Sequence, residues 1–285
     1  MAVNHPLHRH LTPLGCTLLL LGSALPGLGQ ETAPAASTAP MPATSASDWQ
    51  WRVEPSFWLV ASSGKLRAGR NGSERQLNQL NLDNPTAGVY LEAEARREDW
   101  RFSFDGFFFN DEGEARLRSS ARLFDLNIPA GTQLDTSLEA WSLSAGVWRR
   151  VFRHQAGGGA EDRHSVDFDL FAGGGLRVLG AEASLDIAGG GSGRERDFFG
   201  QAFLGGRAEL RLDDTFAFTA QADVGAGLPE RQFSTLHLAA GAEWRCLDNA
   251  ALRLGYQHLD LDIGGGDLSW DGRLAGLYAG FSITY

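Results

Sequence analysis

The side chains of this sequence most able to do chemistry are charged residues set at every second position between apolar ones. Arg52, Glu54, Glu92, Glu94, Arg101, Asp105, Asp167, Asp169, Arg177, Arg207, Glu209, Arg211, Asp223, Glu243, Arg245 and Arg253 all fall on the polar phase of alternating segments. A period of two places such residues on one face of extended strands. If that face lines a wide tube, the charges sort solutes by sign. In a tube of about eight to ten strands the side chains fill the interior, so acids and bases are expected to pair across it and largely plug it.

Three other constellations need weighing. LDLDIGGGDLSWDG, residues 259–272, sets Asp260, Asp262, Asp267 and Asp271 around a glycine turn. Oxygen ligands on a loop suit calcium, but the spacing matches neither an EF-hand nor a repeated glycine-aspartate motif. A solvated hairpin loop is the expectation. Ser234, His237 and Glu243 share one segment and His258 neighbours Asp260, which raises a hydrolase at the barrel rim. Ser234 and His237 are three apart and face opposite sides of a strand, whereas a nucleophile and its base must touch. The glycine runs 157–159, 173–175, 189–191 and 264–266 lack the Lys-Ser/Thr and helix that a phosphate cradle requires. No catalytic residue, metal ligand or cofactor is assigned.

The elements that must position these charges are strands. In WQWRVEPSFWLVAS, Trp49, Trp51, Val53, Phe57, Leu59 and Ala61 share one phase and Gln50, Arg52, Glu54 and Ser56 the other. The pattern recurs around Val89, Phe104, Leu143, Leu170, Leu204, Phe218, Leu238, Leu254 and Leu277. That makes about ten strands of roughly 12 to 15 residues, longer than the 9 to 11 that cross a bilayer. Eight or twelve strands remain open, because residues 111–136 could be drawn into the count. Tight turns are expected at Arg96–Asp99, Asp213-Asp214 and Asp248-Asn249, and long polar loops at 62–84, 111–136 and 180–197. Residues 149–164 read as a long turn on the side of the short ones.

Composition narrows the class. No apolar run after residue 30 approaches the roughly 20 residues of a spanning helix. Residues 1–29, with a weakly basic start and the apolar core Leu14 to Leu28, read as a secretory signal peptide. Residues 30–48 form a Pro/Ala/Ser/Thr tract expected to be a disordered linker, and 49–285 hold the folded part. Once the leader is removed only Cys246 remains, so no intramolecular disulfide forms. The formal charge of −10 becomes one unit more negative when Arg9 leaves, which argues against nucleic acid as a partner.

Alternation suits a soluble sandwich as well as a membrane barrel, but the polar face here mixes Arg with Glu and Asp, and Lys occurs once, at Lys65. Trp49, Trp51, Trp100, Tyr256 and Tyr285 sit near segment ends, where lipid meets water. The fold expected is all-β: a closed antiparallel transmembrane β-barrel.

The last segment, LYAGFSITY, with Leu277, Ala279, Phe281, Ile283 and Tyr285 on one phase, resembles the C-terminal assembly signal of Gram-negative outer-membrane β-barrel proteins. WRVEPSFWLV, DWRFSFDGFFFND and GYQHLDLDIGGGDLSWDGRLAGLYAGFSITY are similar to segments of small outer-membrane barrels of uncharacterised role. The resemblance implies insertion into the cell outer membrane by the barrel-assembly machinery, among outer-membrane lipid and lipopolysaccharide. The resemblance names an address and no activity; the role expected of the barrel itself is structural or in small-solute permeability. The alternatives are a rim-located lipid or peptide hydrolase, and adhesion or ligand binding through the loops.

Overall fold

Alternating segments pair edge to edge along nearly their whole length in the computed structural model, which describes residues 49–157, 165–213, 215–227, 233–264 and 266–285. The expected leader and linker lie outside the described residues. Among the described residues there are thirteen strands: β1 (Gln50–Ala68), β2 (Arg75–Gln76), β3 (Thr86–Arg97), β4 (Trp100–Arg116), β5 (Ala121–Leu123), β6 (Leu126–Ile128), β7 (Gln133–Gly157), β8 (Ser165–Ile187), β9 (Ser192–Leu212), β10 (Phe216–Gly227), β11 (Phe233–Leu247), β12 (Ala250–Ile263) and β13 (Leu268–Thr284). Ten of them, all but β2, β5 and β6, form one antiparallel ring in sequence order. The ring closes where β13 pairs with β1, Val53 opposite Ile283 and Phe57 opposite Ala279. Trp51 and Tyr285 exchange both backbone hydrogen bonds, at 3.2 and 2.9 Å. Where all ten strands overlap, closure leaves no edge with unpaired N–H and C=O groups among the described residues, which a hydrocarbon surrounding would penalise; beyond that span β4 after Phe108 lacks its β3 partner and β9 before Gln201 its β10 partner.

Each strand's outward face carries a belt of large apolar side chains. Phe57 is 76% exposed, Leu204 71%, Leu176 67% and Leu143 64%, values that no water-facing wall tolerates in such density. Trp49, Trp51, Trp100, Trp244 and Tyr285 gather at the end where β1 starts and β13 finishes, the termini end of the ring. Among the described residues no helix is long and apolar enough to cross a membrane; the strands supply the apolar length.

Above the belt, at the end away from the termini, the polarity of the two faces exchanges. On β1 the outward residues become Ser63, Lys65 and Arg67, while inward Trp58, Val60, Leu66 and Ala68 are buried. On β8 the outward residues become Glu182, Ser184 and Asp186, while Leu179, Ala181, Ala183 and Leu185 turn into the interior. At the changeover both faces are apolar, and the sequence shows it as consecutive apolar residues: Trp58-Leu59-Val60, Phe107-Phe108-Phe109, Val178-Leu179 and Phe198-Phe199. The upper third is thus built like a water-soluble barrel with an oily core.

That core has a lid. The 3-10 helix Leu77–Leu80 touches both β1 and β4, occupying the wall position above the start of β3. Leu77, Leu80 and Leu82 point inward against Trp58, Leu134, Leu138, Trp270 and Leu274. Thr136 Oγ1 donates to the Leu80 carbonyl at 2.7 Å and Ser62 Oγ to the Leu82 carbonyl, which satisfies backbone oxygens inside the apolar layer. The β5–β6 hairpin adds Ala121, Leu123 and Ile128, and Phe124 N–H bonds the Ala68 carbonyl at 2.9 Å.

The expected tight turns stand at Glu98, with φ 54°, at Asp213, with φ 53°, and between Leu247 and Ala250. The expected long loops are corrected. Residues 62–68, 111–116, 133–136, 180–187 and 192–197 are strand, because they continue the ladder above the belt with the faces exchanged. The ring strands accordingly run 12 to 25 residues. The long turn expected at 149–164 is also mostly strand: β7 continues to Gly157, and residues 158–164 lie outside the described residues.

The belt gives a first test. Leu204→Arg, at mid-belt, is expected to cost about 2–4 kcal/mol of folding stability in lipid vesicles, and Ser184→Arg, outward but above the belt, about 0–1 kcal/mol. Urea unfolding monitored by tryptophan fluorescence reads both.

Candidate functional site

Within the belt the inward phase brings charges from separate strands face to face. Five arginines, Arg52, Arg96, Arg101, Arg207 and Arg253, interleave with five glutamates, Glu54, Glu92, Glu94, Glu209 and Glu243. Arg52 reaches Glu54 at 2.9 Å and Glu243 at 3.2 Å. Arg207 spans Glu92 at 3.0 Å and Glu94 at 3.1 Å, and Arg253 ties Glu92, at 2.8 Å, to Glu54. Arg101 grips both oxygens of Glu209. Equal numbers of each sign are what allow the cluster to be buried, since a single charge left without its partner carries a large desolvation penalty. Glu54 and Glu94 are each 1% exposed, so solvent does not reach them.

Two smaller clusters flank it. Toward the termini Asp169 gathers Arg150 at 3.5 Å, Arg153 at 3.7 Å and Arg211, while Arg150 also holds Asp99 and Arg153 reaches Asp167 at 3.7 Å. On the β8–β11 side Arg177 bonds Asp223 at 3.0 Å, Ser144 at 3.1 Å and Thr235 at 3.3 Å. Gln201 joins Thr235 at 2.8 Å, and His237 Nδ1 stands 2.8 Å from Asp223. Asp105 faces this group from β4, opposite Ser144 in the β4–β7 register.

Aromatic rings fill the space between clusters. Trp148, Phe171 and Phe203 are buried together. The Arg101 guanidinium lies 3.7 Å over the Phe171 ring and that of Arg177 4.9 Å over Phe203. Glycines admit those rings: a Cβ on Gly173 would stand 2.9 Å from the Trp148 ring, and one on Gly175 2.8 Å from that of Phe203. Gly173 and Gly175 therefore leave room both for these rings and for the β7 backbone, whose Val147 and Ala145 carbonyl oxygens would stand closer still to the added Cβ atoms.

Of the sixteen charges expected on the inner face, Arg52, Glu54, Glu92, Glu94, Arg101, Asp169, Arg177, Arg207, Glu209, Asp223 and Arg253 are buried. Asp105, Asp167, Arg211 and Glu243 are half-buried on the same phase. Arg245 is exposed beside the turn at Thr215, at the mouth rather than in the interior. Arg96, Arg150, Arg153, Asp99 and His237 join the clusters without having been assigned from sequence. Arg150 and Arg153 both point inward because a β-bulge between Arg150 and Phe152 resets the phase of β7. The signal was the pair Val151-Phe152, two apolar neighbours that are both exposed.

The other candidates separate. Ser234 is exposed and His237 buried, on opposite faces of β11. His258 Nε2 lies 3.0 Å from Asp260, and Asp260 also meets Arg273 at 3.4 Å. Ser234 stands opposite Asp262 in the β11–β12 register, two outward positions above the pair of Leu238 with His258. The acids of 259–272 spread over arginines: Asp260 on Arg273 and Asp267 on Arg70. Among the described residues no three His, Cys, Asp or Glu side chains converge as metal ligands. Leu277, Ala279, Phe281 and Tyr285 all face outward and exposed, with Ile283 half-buried on the same face.

No family model matches the chain, and no curated protein does. Among solved structures the chain is similar to the outer membrane protease OmpT from Escherichia coli, at 11% identity, covering 83% of this chain and 97% of that one with a TM-score of 0.45. Neisserial surface protein A matches at 13% identity over 82% and 96%, TM-score 0.34. Ail, the attachment invasion locus protein of Yersinia pestis, matches at 14% over 81% and 98%, TM-score 0.31.

Glu94 faces Arg52, Arg96, Arg101 and Arg207. Glu94→Ala is expected to cost roughly 3–5 kcal/mol by stranding them. Adding Arg207→Met to that variant should recover part of the loss. Urea titration of the single and double variants measures the coupling, and strictly additive costs would contradict the network.

Proposed function

We propose that the protein is an integral outer-membrane barrel of structural role, closed to solute flow, which holds a rigid wall in the bilayer and presents its upper third to the exterior. The observation that carries this reading is the exchange of polarity along the ring. An apolar outer belt around paired, buried charges suits a bilayer, and the polar-walled, oily-cored upper third suits water. Two layers of different chemistry stand across the lumen. Lower down, guanidinium and carboxylate groups neutralise one another; higher up, Trp58, Leu134, Trp270 and Leu274 meet with no exposed surface.

In this reading residues 1–29 direct export, 30–48 form a periplasmic linker, and the termini end faces the periplasm, as short-turn ends of such barrels do. Leu277, Ala279, Phe281, Ile283 and Tyr285 serve the barrel-assembly machinery before they face lipid, and the upper wall meets lipopolysaccharide. The β5–β6 hairpin and the Leu77–Leu80 helix are the parts a ligand or partner cell would meet first.

Planar-bilayer recording of the purified barrel tests closure: the expected trace shows no unitary current steps at either polarity. Combining Trp58→Ala and Trp270→Ala is expected to stay silent too, because the charge layer remains. Regular steps from the unaltered protein would contradict the closed-lumen reading. Deleting Tyr285 is expected to reduce the membrane-inserted fraction in cells, and unimpaired insertion would remove the assembly role of the last strand.

A further inference from the structure

The termini end of the wall carries a row that the closed lumen does not use. Arg97 on β3 pairs in register with Trp100 on β4, and Trp100 with Arg149 on β7. All three point outward and are exposed. The Arg149 guanidinium lies 5.6 Å over the Trp100 ring, and that of Arg97 5.7 Å over Trp49. The two cations are therefore held by aromatic faces at the level of the tryptophan girdle. Arg149 has no carboxylate partner among the described residues; the nearby acid Asp99 is taken by Arg150, which faces inward.

Beneath this row is an open groove of about 530 Å³ lined by Trp49, Arg97, Glu98, Trp100, Phe102 and Val147. Trp49 lies against Phe102, ring centroids 5.5 Å apart, so the groove has an aromatic wall that runs down into the apolar belt. Its chemistry changes over one strand row, from guanidinium to hydrocarbon. At the other end of the same strands the outward residues are Glu112, Glu114, Asp135 and Glu139. On β4 and β7 the outward charge is thus cationic at Arg149 and mostly acidic at the far end, where Arg116 is the exception.

We infer that this groove is a binding site for an anionic phospholipid of the leaflet on the termini side, with its phosphate between Arg97 and Arg149 and an acyl chain along Trp49, Phe102 and Val147. Arginine suits phosphate by presenting several N–H donors in a fixed fork. Glu98 also lines the groove, so the two arginines leave it a net positive charge rather than an unopposed one. Anionic headgroups gain from each arginine near the surface, whereas a zwitterionic lipid offers the same phosphate with a cation attached. This inference rests on the barrel's residing in a bilayer.

Native mass spectrometry of the refolded barrel, titrated with phosphatidylglycerol or phosphatidylcholine of identical chains, tests it. The unaltered protein is expected to favour phosphatidylglycerol by roughly tenfold. R97Q with R149Q should bring the two lipids within about twofold of each other, and Trp49→Ala should weaken both. K65Q with R273Q, cations at the opposite boundary, should leave the preference intact. Equal binding of the two lipids by the unaltered protein, or a preference that survives R97Q with R149Q, would overturn the site. A chain that inserts into vesicles of neither lipid would instead sink the bilayer reading beneath it.

Discussion

Everything in this molecule follows from one constraint: a backbone in hydrocarbon has no water to satisfy its polar groups, so the sheet must close on itself. Closure at β1 and β13 makes an inside and an outside, and the period of two then assigns each residue to one of them. Where hydrocarbon surrounds the ring, the outside is apolar and the inside is left to take the polar residues. Where water surrounds it, the assignment reverses. The strands themselves are continuous through the change, and β8 crosses it without a break between Val178 and Leu179.

Charge is the price of that arrangement, and pairing is how the interior tolerates it. Ten strands leave a lumen that side chains can span, so arginine and glutamate from distant positions meet: Arg207 with Glu92, Arg253 with Glu54. Buried pairs of this kind contribute little net stability, because desolvation offsets most of the attraction. What they contribute is position. Each guanidinium in the large cluster meets carboxylates on more than one strand, and stacking of Arg101 and Arg177 on Phe171 and Phe203 fixes planar groups in planar slots. The apolar layer above supplies the stabilisation that the charged layer does not, through fully buried Trp58, Trp270 and Leu274.

Much of this was legible in the sequence. The alternation that runs through Phe57, Phe104, Leu204 and Leu277 carries the belt, the ring and the phase of the charges from Arg52 to Arg253, among which Arg245 shares the phase of Glu243 but stands exposed at the mouth. The strand ends were misread for a physical reason. Residues such as Lys65, Glu112 and Glu182 look like loop when apolar is equated with outside, yet they alternate as strictly as the belt does. The changeover leaves a trace in Phe107-Phe108-Phe109 and Phe198-Phe199, where adjacent apolar residues face opposite ways. The bulge at Arg150 leaves another in Val151-Phe152. Partner choice inside the lumen was not legible, because it depends on the stagger of the closed ring, which brings Arg52 to Glu243 across 191 residues.

The most direct test of the account is reagent access along β1 in vesicles. With Cys246→Ser as background, cysteine is placed singly at Ser56, Phe57, Leu59, Ser62, Ser63 and Arg67, and each protein is exposed to a membrane-impermeant maleimide. The account predicts labelling at Ser63 and Arg67 only, since Phe57 and Leu59 face lipid while Ser56 and Ser62 face a closed interior. Labelling at Ser56 would show water in the lumen, and labelling at Phe57 or Leu59 would show that the belt does not sit in a membrane; either result would contradict it.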